Sequence, residues 1–212
     1  ALEDYLQQIH AGTANIILGT QMLAKGHHFP QVTLVALLDV DSGLFSIDYR
    51  SGERLAQLIV QVAGRAGRAE QPGRVILQTR HPEHPWLQQL LQGGYQAFAE
   101  QALADRKLAG LPPYGYQVLL RAQARQPQLS QQFMIAVQQR LADCAPESVS
   151  IWGPVTAPMF KRGGQFRYQL LLQSPRRQEL RQLLTALLPV VSALPEARAV
   201  KWSIDVDPQD LY

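Results

Sequence analysis

The chain has 212 residues, of which 46% are hydrophobic, a formal net charge of +3 and one cysteine, Cys144. It has no apolar run of about 18 residues and no basic opening followed by an apolar stretch, so neither a membrane span nor a secretory signal is expected. One cysteine forms no internal disulfide and no cysteine-rich zinc site, which fits a reducing, cytoplasmic setting. The charge is uneven. Residues 1–109 carry nine Lys and Arg against ten Asp and Glu, a net of −1; residues 110–212 carry eleven against seven, a net of +4. That asymmetry points to a polyanionic partner for the second half, beside the plainer reading of a basic domain.

The chain opens at Ala1 inside a helical pattern, "ALEDYLQQIHAG", with no initiator methionine, as expected of a piece of a longer protein. Leu2, Leu6 and Ile9 share one face, and Gly12 is the predicted stop. "ANIILGT" (14–20) and "VTLVALLDV" (32–40) are continuous apolar runs, expected as strands buried on both faces of a parallel sheet. Ser51 is the predicted cap of a helix whose inner face carries Leu55, Leu58, Ile59 and Val62. "RVILQTR" (74–80) reads as another short strand. Asp39 and Asp41 read as strand-end polar residues. Residues 83–110 read as one or two helices, and the prolines of "LPPYG" (111–115) mark a domain boundary.

The second half alternates differently. "YQVLLRAQAR" predicts a strand with Tyr116, Val118, Leu120 and Ala122 on one side. A helix follows, with Leu129, Phe133, Val137 and Leu141 inward. "SVSIWGPV" predicts a strand that ends in a loop, "TAPMFKRGG". "QFRYQLLLQ" alternates Phe166, Tyr168, Leu170 and Leu172 against Arg167, Gln169 and Gln173. Ser174 and Pro175 predict a helix start, with Leu180, Leu183, Leu184 and Leu187 inward. "AVKWSIDVD" closes with Val200, Trp202, Ile204 and Val206 inward. The order is β-α-β-β-α-β, the split-βαβ pattern. The expected fold is therefore α/β with a partial parallel sheet and trailing helices over 1–110, then a small α+β domain over 111–212.

One stretch demands explanation. "VQVAGRAGRAE" (60–70) places two Gly-Arg pairs at the end of a helical pattern, although glycine weakens a helix interior by about 1 kcal/mol relative to alanine. Gln61, Arg65 and Arg68 fall at i, i+4 and i+7, on one face, with Gly64 between them. A missing side chain admits a bulky ligand, and guanidinium groups are preferred partners of phosphate. A solvated basic helix end, where cations suit the helix dipole, is the competing reading. Upstream, "ILGTQMLAKGHHFP" (17–30) puts Gly19, Thr20 and Gln21 at a strand's carboxyl end, where ligands bind in open α/β sheets.

"GTQMLAKGHHFP" and "QVAGRAGR" resemble motifs V and VI of the superfamily 2 helicases. Their spacing, with "QTRHPEHP", "LPPY", "KRGG…RYQLLLQ" and "KWSIDVDP", is similar to the primosomal protein N′ family of replication-restart helicases, over essentially the whole chain. The resemblance implies that residues 1–110 are part of a RecA-like second helicase lobe. It makes Arg65 and Arg68 arginine fingers that reach ATP bound on the other lobe, and Gln61 a polar residue oriented near the γ-phosphate. It makes Thr20 a DNA phosphate contact and places Lys25 and Gly26 in the motif V turn. His28 stands where many superfamily members carry an acidic residue near the nucleotide. His27 and His28 have no third ligand nearby in sequence, so no metal site is expected in this chain.

No G-x-x-x-x-G-K-[ST] phosphate loop occurs. ATP with Mg²⁺ is therefore expected mostly on the other lobe, and this chain alone is expected to be inactive. The resemblance places the family's zinc-binding cysteines outside this chain. In the basic half, Lys161, Arg162 and Arg167 with Phe160 suit nucleic acid, cations meeting phosphates and the ring stacking on a base. Strand periodicity favours Phe166 and Tyr168 as core residues. Arg177 and Arg181 lie on an exposed helix face, where they serve solubility or receive an acidic peptide. The resemblance implies as partners single-stranded and branched DNA, single-stranded-DNA-binding protein and other primosome proteins, with no membrane and a cytoplasmic, nucleoid-associated location. The implied function is the C-terminal part of an ATP-dependent DNA helicase that remodels stalled or branched forks and starts primosome assembly. The alternative is a non-catalytic module that recruits replication proteins to branched DNA.

Overall fold

A computed structural model describes residues 7–9, 11–19, 32–64 and 73–211. The chain divides into two compact units, Ala1–Gln101 and Ala102–Tyr212.

In the first unit, β1 (Leu34–Leu37) and β2 (Arg74–Leu77) pair in parallel, Leu34 opposite Arg74 and Leu37 opposite Leu77. Between them run α1 (Asp41–Leu44) and α2 (Ser51–Ala63), and α2 packs against both strands. The sequence reasons are plain: α2 buries Ala56, Ile59 and Val62 along one stripe, the spacing of an amphipathic helix. The opening helical turn ends at Gly12, whose N–H bonds Ile9 O at 3.1 Å while Thr13 N–H bonds Gln8 O at 3.0 Å. α3 (Pro85–Leu108) is two helical pieces joined at Gly94, where φ is 75° and ψ −176°, a conformation open only to glycine. It starts in the first unit and ends in the second.

Three expectations are corrected here. The paired strands are not buried on both faces: Leu34, Ala36 and Ile76 are exposed while Val35, Leu37, Val75 and Leu77 are half-buried. Among the described residues one helix layer covers one face, and exposure alternates. Residues 14–19 form no strand, and Ile16 and Leu18 are 82% and 87% exposed. An apolar run becomes a buried strand only beside a ladder partner, and the described parallel sheet has two strands, neither paired with this run. Ser51 is not a side-chain cap; the helix starts on it. Asp48 organises that turn instead, accepting from Arg50 N–H at 3.0 Å and pairing with Arg54 at 3.1 Å.

The second unit is a four-stranded antiparallel sheet, order β4-β5-β3-β6, from β3 (Tyr116–Ala124), β4 (Ser150–Arg162), β5 (Gln165–Ser174) and β6 (Lys201–Val206). α4 (Pro127–Cys144) follows β3 and α5 (Arg177–Ala193) follows β5, giving the expected β-α-β-β-α-β order. Val118, Leu120, Ala122, Leu170 and Leu172 meet Phe133, Met134, Val137, Leu141, Leu180, Leu183 and Leu187 in one core. Alternate strand residues thus face helical stripes at 3.6-residue spacing.

The other sheet face is partly closed by the chain itself. Gln173 Nε2 donates to Ala109 O at 3.2 Å and Gly110 O at 3.1 Å, and Arg121 reaches Asp205 at 2.8 Å and Asp210 O at 3.0 Å. Leu119 and Gln117 are buried there, and so is Gln169, which alternation alone had placed outward. Val206, expected inward, is 53% exposed, at the end of edge strand β6. Helix α5 starts at Arg177 rather than at Pro175: Ser174 belongs to β5, and its Oγ accepts from Arg176 N–H at 3.1 Å and donates to Glu179 at 2.7 Å. The segment expected as the loop "TAPMFKRGG" is mostly strand. β4 runs to Arg162 with register shifts before Val155 and Lys161, and only Gly163 and Gly164, with φ of 56° and 75°, make the turn. Two successive left-handed residues match the twist of a hairpin, and glycine adopts them without strain.

Candidate functional site

Of the expected nucleotide-facing residues, the described part of the structure holds two. Gln61 lies half-buried in the last turn of α2. Gly64 caps that helix with φ −70° and ψ −9°, its N–H bonded to Val60 O at 3.0 Å, and it is exposed. A Cβ added there would lie 3.4 Å from Val60 O and 3.8 Å from Gln61 O. Neither dihedral nor local space requires glycine at this position. Arg65, Arg68, Thr20, Lys25, Gly26 and His28 lie outside the described residues. The described helix ends at Ala63, so the shared face of Gln61, Arg65 and Arg68 is described for Gln61 alone.

Beyond β1 and β2, Asp41 ties the two strand exits together. It accepts from Thr79 Oγ1 and from Arg80 N–H at 3.0 Å. The Thr79 hydrogen bond, then the Arg80 N–H, hold its carboxyl below the usual carboxylate range. Asp39, at φ 53°, receives Ser42 Oγ at its carbonyl at 2.9 Å. Both therefore serve the turn as strand-end polar groups. Among the described residues no group of three or more His, Cys, Asp or Glu could hold a metal ion.

In the second unit the residues expected to bind DNA, Phe160, Lys161, Arg162 and Arg167, lie on one hairpin and split across its two faces. Lys161 stands opposite Phe166, with its Nζ 5.0 Å from that ring centroid. Phe160 packs on Phe166 at 5.2 Å and edge-on to Tyr168 at 5.7 Å. These lie on the helix-bearing side, because Tyr168 packs against the core. Arg162 stands opposite Gln165, and Arg167 opposite Gln123, on the other side. Phe160 is corrected from a loop residue to a strand residue with an engaged ring; the register shift that carries β4 through Pro158 hid this from alternation. Trp152, not singled out by its sequence, is exposed on the same side as Arg167. Its alternation with core-packed Ile151 was the available signal.

Arg177 and Arg181 are both exposed on α5. Arg177 faces Asp207 at 3.5 Å, and Arg176 pairs with Glu179 at 3.0 Å. A hollow of about 490 Å³ is lined by Tyr116, Pro175, Arg176, Arg177, Glu179 and Gln182. Hydrogen bonds from Ser148 and then Ser174 hold the Glu179 carboxyl below its usual range. Glu179 thus stays charged and partly offsets the arginines. Among the described residues no helix is long and apolar enough to cross a membrane.

Comparison with known proteins adds independent findings. Residues 107–209 match the family described as primosomal protein N C-terminal domain, and residues 2–70 match the helicase conserved C-terminal domain. A replication restart protein PriA of Haemophilus influenzae is 50% identical over 210 residues, covering 99% of this chain and 28% of that protein. Proteins of the same name from Synechocystis and Bacillus subtilis are 37% and 36% identical, covering 96% and 98% of this chain and 24% and 26% of theirs. The chain thus spans about a quarter of the length of these curated relatives.

Proposed function

We propose that this chain, a member of the replication restart protein PriA family, is the C-terminal part of an ATP-dependent DNA helicase that remodels stalled or branched replication forks and starts primosome assembly. The observation that carries this reading is Gly64: a glycine that neither its dihedrals nor its surroundings demand, at the helix end from which two arginines follow. Among the described residues nothing crowds that helix end, which suits a triphosphate held by another lobe. Bound ATP with Mg²⁺ supplies the γ-phosphoryl group and part of the charge neutralisation. Arg65 and Arg68 stabilise the charge that develops on the phosphoryl oxygens, and Gln61 orients near them. Gly26 and His28 serve nucleotide binding, while Thr20 and Lys25 contact DNA phosphates.

In the second unit, Lys161, Arg162 and Arg167 bind single-stranded or branched DNA through phosphates, with Phe160 supporting the hairpin. Arg177, which lines the hollow, and Arg181 on the same helix receive an acidic protein tail such as that of single-stranded-DNA-binding protein. The second reading, a non-catalytic DNA-binding adaptor, is favoured by Arg162 and Arg167, which meet no carboxylate among the described residues, and is compatible with the first. The test is ATP hydrolysis by this chain alone and joined to an upstream lobe with a phosphate loop. DNA-stimulated turnover in the joined protein only is expected; turnover by this chain alone would overturn the assignment.

A further inference from the structure

The helices α4 and α5 cover one face of the four-stranded sheet. Strand register fixes what the other face displays, because directly opposed residues of antiparallel strands point to the same side. Leu170 and Leu172 are core residues, so Leu171 and its partners Leu119 and Trp152 point away from the core. One end of that face, around Gln117 and Leu119, is closed by the 109–110 segment and the C-terminal tail.

Trp152 and Val155 stand on edge strand β4, 60% and 52% exposed, opposite Leu171 and Gln169. Four residues along β5 from Leu171, toward the hairpin, the register places Arg167 beside Gln123, and Gln123 beside Lys201. Arg162 extends the row at the hairpin end. Among the described residues Arg162, Arg167 and Lys201 meet no carboxylate within ion-pairing distance, whereas Arg121, deeper in the face, is held by Asp205 and Asp210. An aromatic ring at one margin and three free cations spread over a sheet about 14 Å wide, at some 4.8 Å per strand, have the chemistry of a single-strand platform. Rings stack on unpaired bases and cations track phosphates. A duplex offers no exposed base face to the indole, so the single strand is the better match.

Resting on the DNA-binding reading above, we propose that this side of the sheet binds single-stranded DNA, one base stacking on Trp152 at the β4 edge and the backbone running about 13 Å along the strands, toward Arg167 and Lys201. The site lies on the side opposite Phe160 and Lys161. Fluorescence anisotropy of a labelled oligo-dT with the 212-residue chain tests it. Trp152→Ala weakens binding by about five- to a hundred-fold, the range of base–aromatic stacking, while Trp152→Phe keeps most of the affinity. Joint Arg167→Gln and Lys201→Gln substitution lowers the slope of log affinity on log salt by about 1.4, at about 0.7 per single-strand phosphate contact. Far-UV circular dichroism confirms that each variant is folded. Unchanged affinity in Trp152→Ala, with loss in Lys161→Gln, would overturn this site and leave the DNA-binding reading intact. No binding of oligo-dT by the unaltered chain would bring down both. Tighter binding of oligo-rU than of oligo-dT would overturn the assignment to DNA.

Discussion

Gly64→Ala separates what the fold needs from what the ligand needs. The added Cβ meets Val60 O at 3.4 Å and Gln61 O at 3.8 Å, ordinary contact distances, and φ −70° with ψ −9° suits alanine. The fold therefore accepts the change. Alanine for glycine at a compatible position stabilises by about 0.4–1 kcal/mol, mainly by restricting the unfolded chain. Urea unfolding of the 212-residue chain, followed by far-UV circular dichroism, is expected to show unchanged or slightly raised stability. If the glycine is there for close approach of a triphosphate, the same methyl lowers DNA-stimulated ATP hydrolysis in the full-length protein. A loss of tenfold or more, about 1.4 kcal/mol in activation free energy, is expected. Full activity would refute the close-approach argument, and a clear loss of stability would refute the steric one.

Other outcomes follow from the core and its polar contacts. Phe133→Ala empties a fully buried position whose ring lies 6.0 Å from Trp202; a cost of about 3–5 kcal/mol is expected in the unfolding transition that Trp202 fluorescence reports. Asp41, held below the usual carboxylate range by Thr79 and Arg80, contributes stability above the ordinary carboxylate pKa of about 3.9 and loses it as pH falls through its lower folded value. Asp41→Asn should flatten the acid side of the first unit's stability profile, measured by urea unfolding across that range. Joint Gly163→Ala and Gly164→Ala substitution places two L residues at positive φ and should cost about 1–2 kcal/mol per residue, with weaker DNA binding by the hairpin.

The second unit was legible because its residues obey two simple periods: Val118, Leu120 and Ala122 alternate along a strand, while Phe133, Val137 and Leu141 recur along a helix. What alternation could not convey is which outward residues the chain itself covers. Leu119 and Gln117 are buried by segments distant in sequence, and Gln169 with them. Register shifts in β4 also break the period, so Phe160 read as loop. In the first unit, Ile16 and Leu18 carry a strand's composition without a ladder neighbour, and composition alone does not supply one. Of the nucleotide-facing set, Gln61 and Gly64 are among the described residues, and the rest were legible through motif spacing in the sequence.

The central claim is that this chain lends arginines to a nucleotide bound elsewhere in the molecule, and Arg68→Ala in the full-length protein tests it most directly. ATP turnover is expected to fall by about 10³–10⁵, the range for removing an arginine finger, with DNA affinity nearly unchanged. DNA-stimulated hydrolysis at the unaltered rate would contradict it.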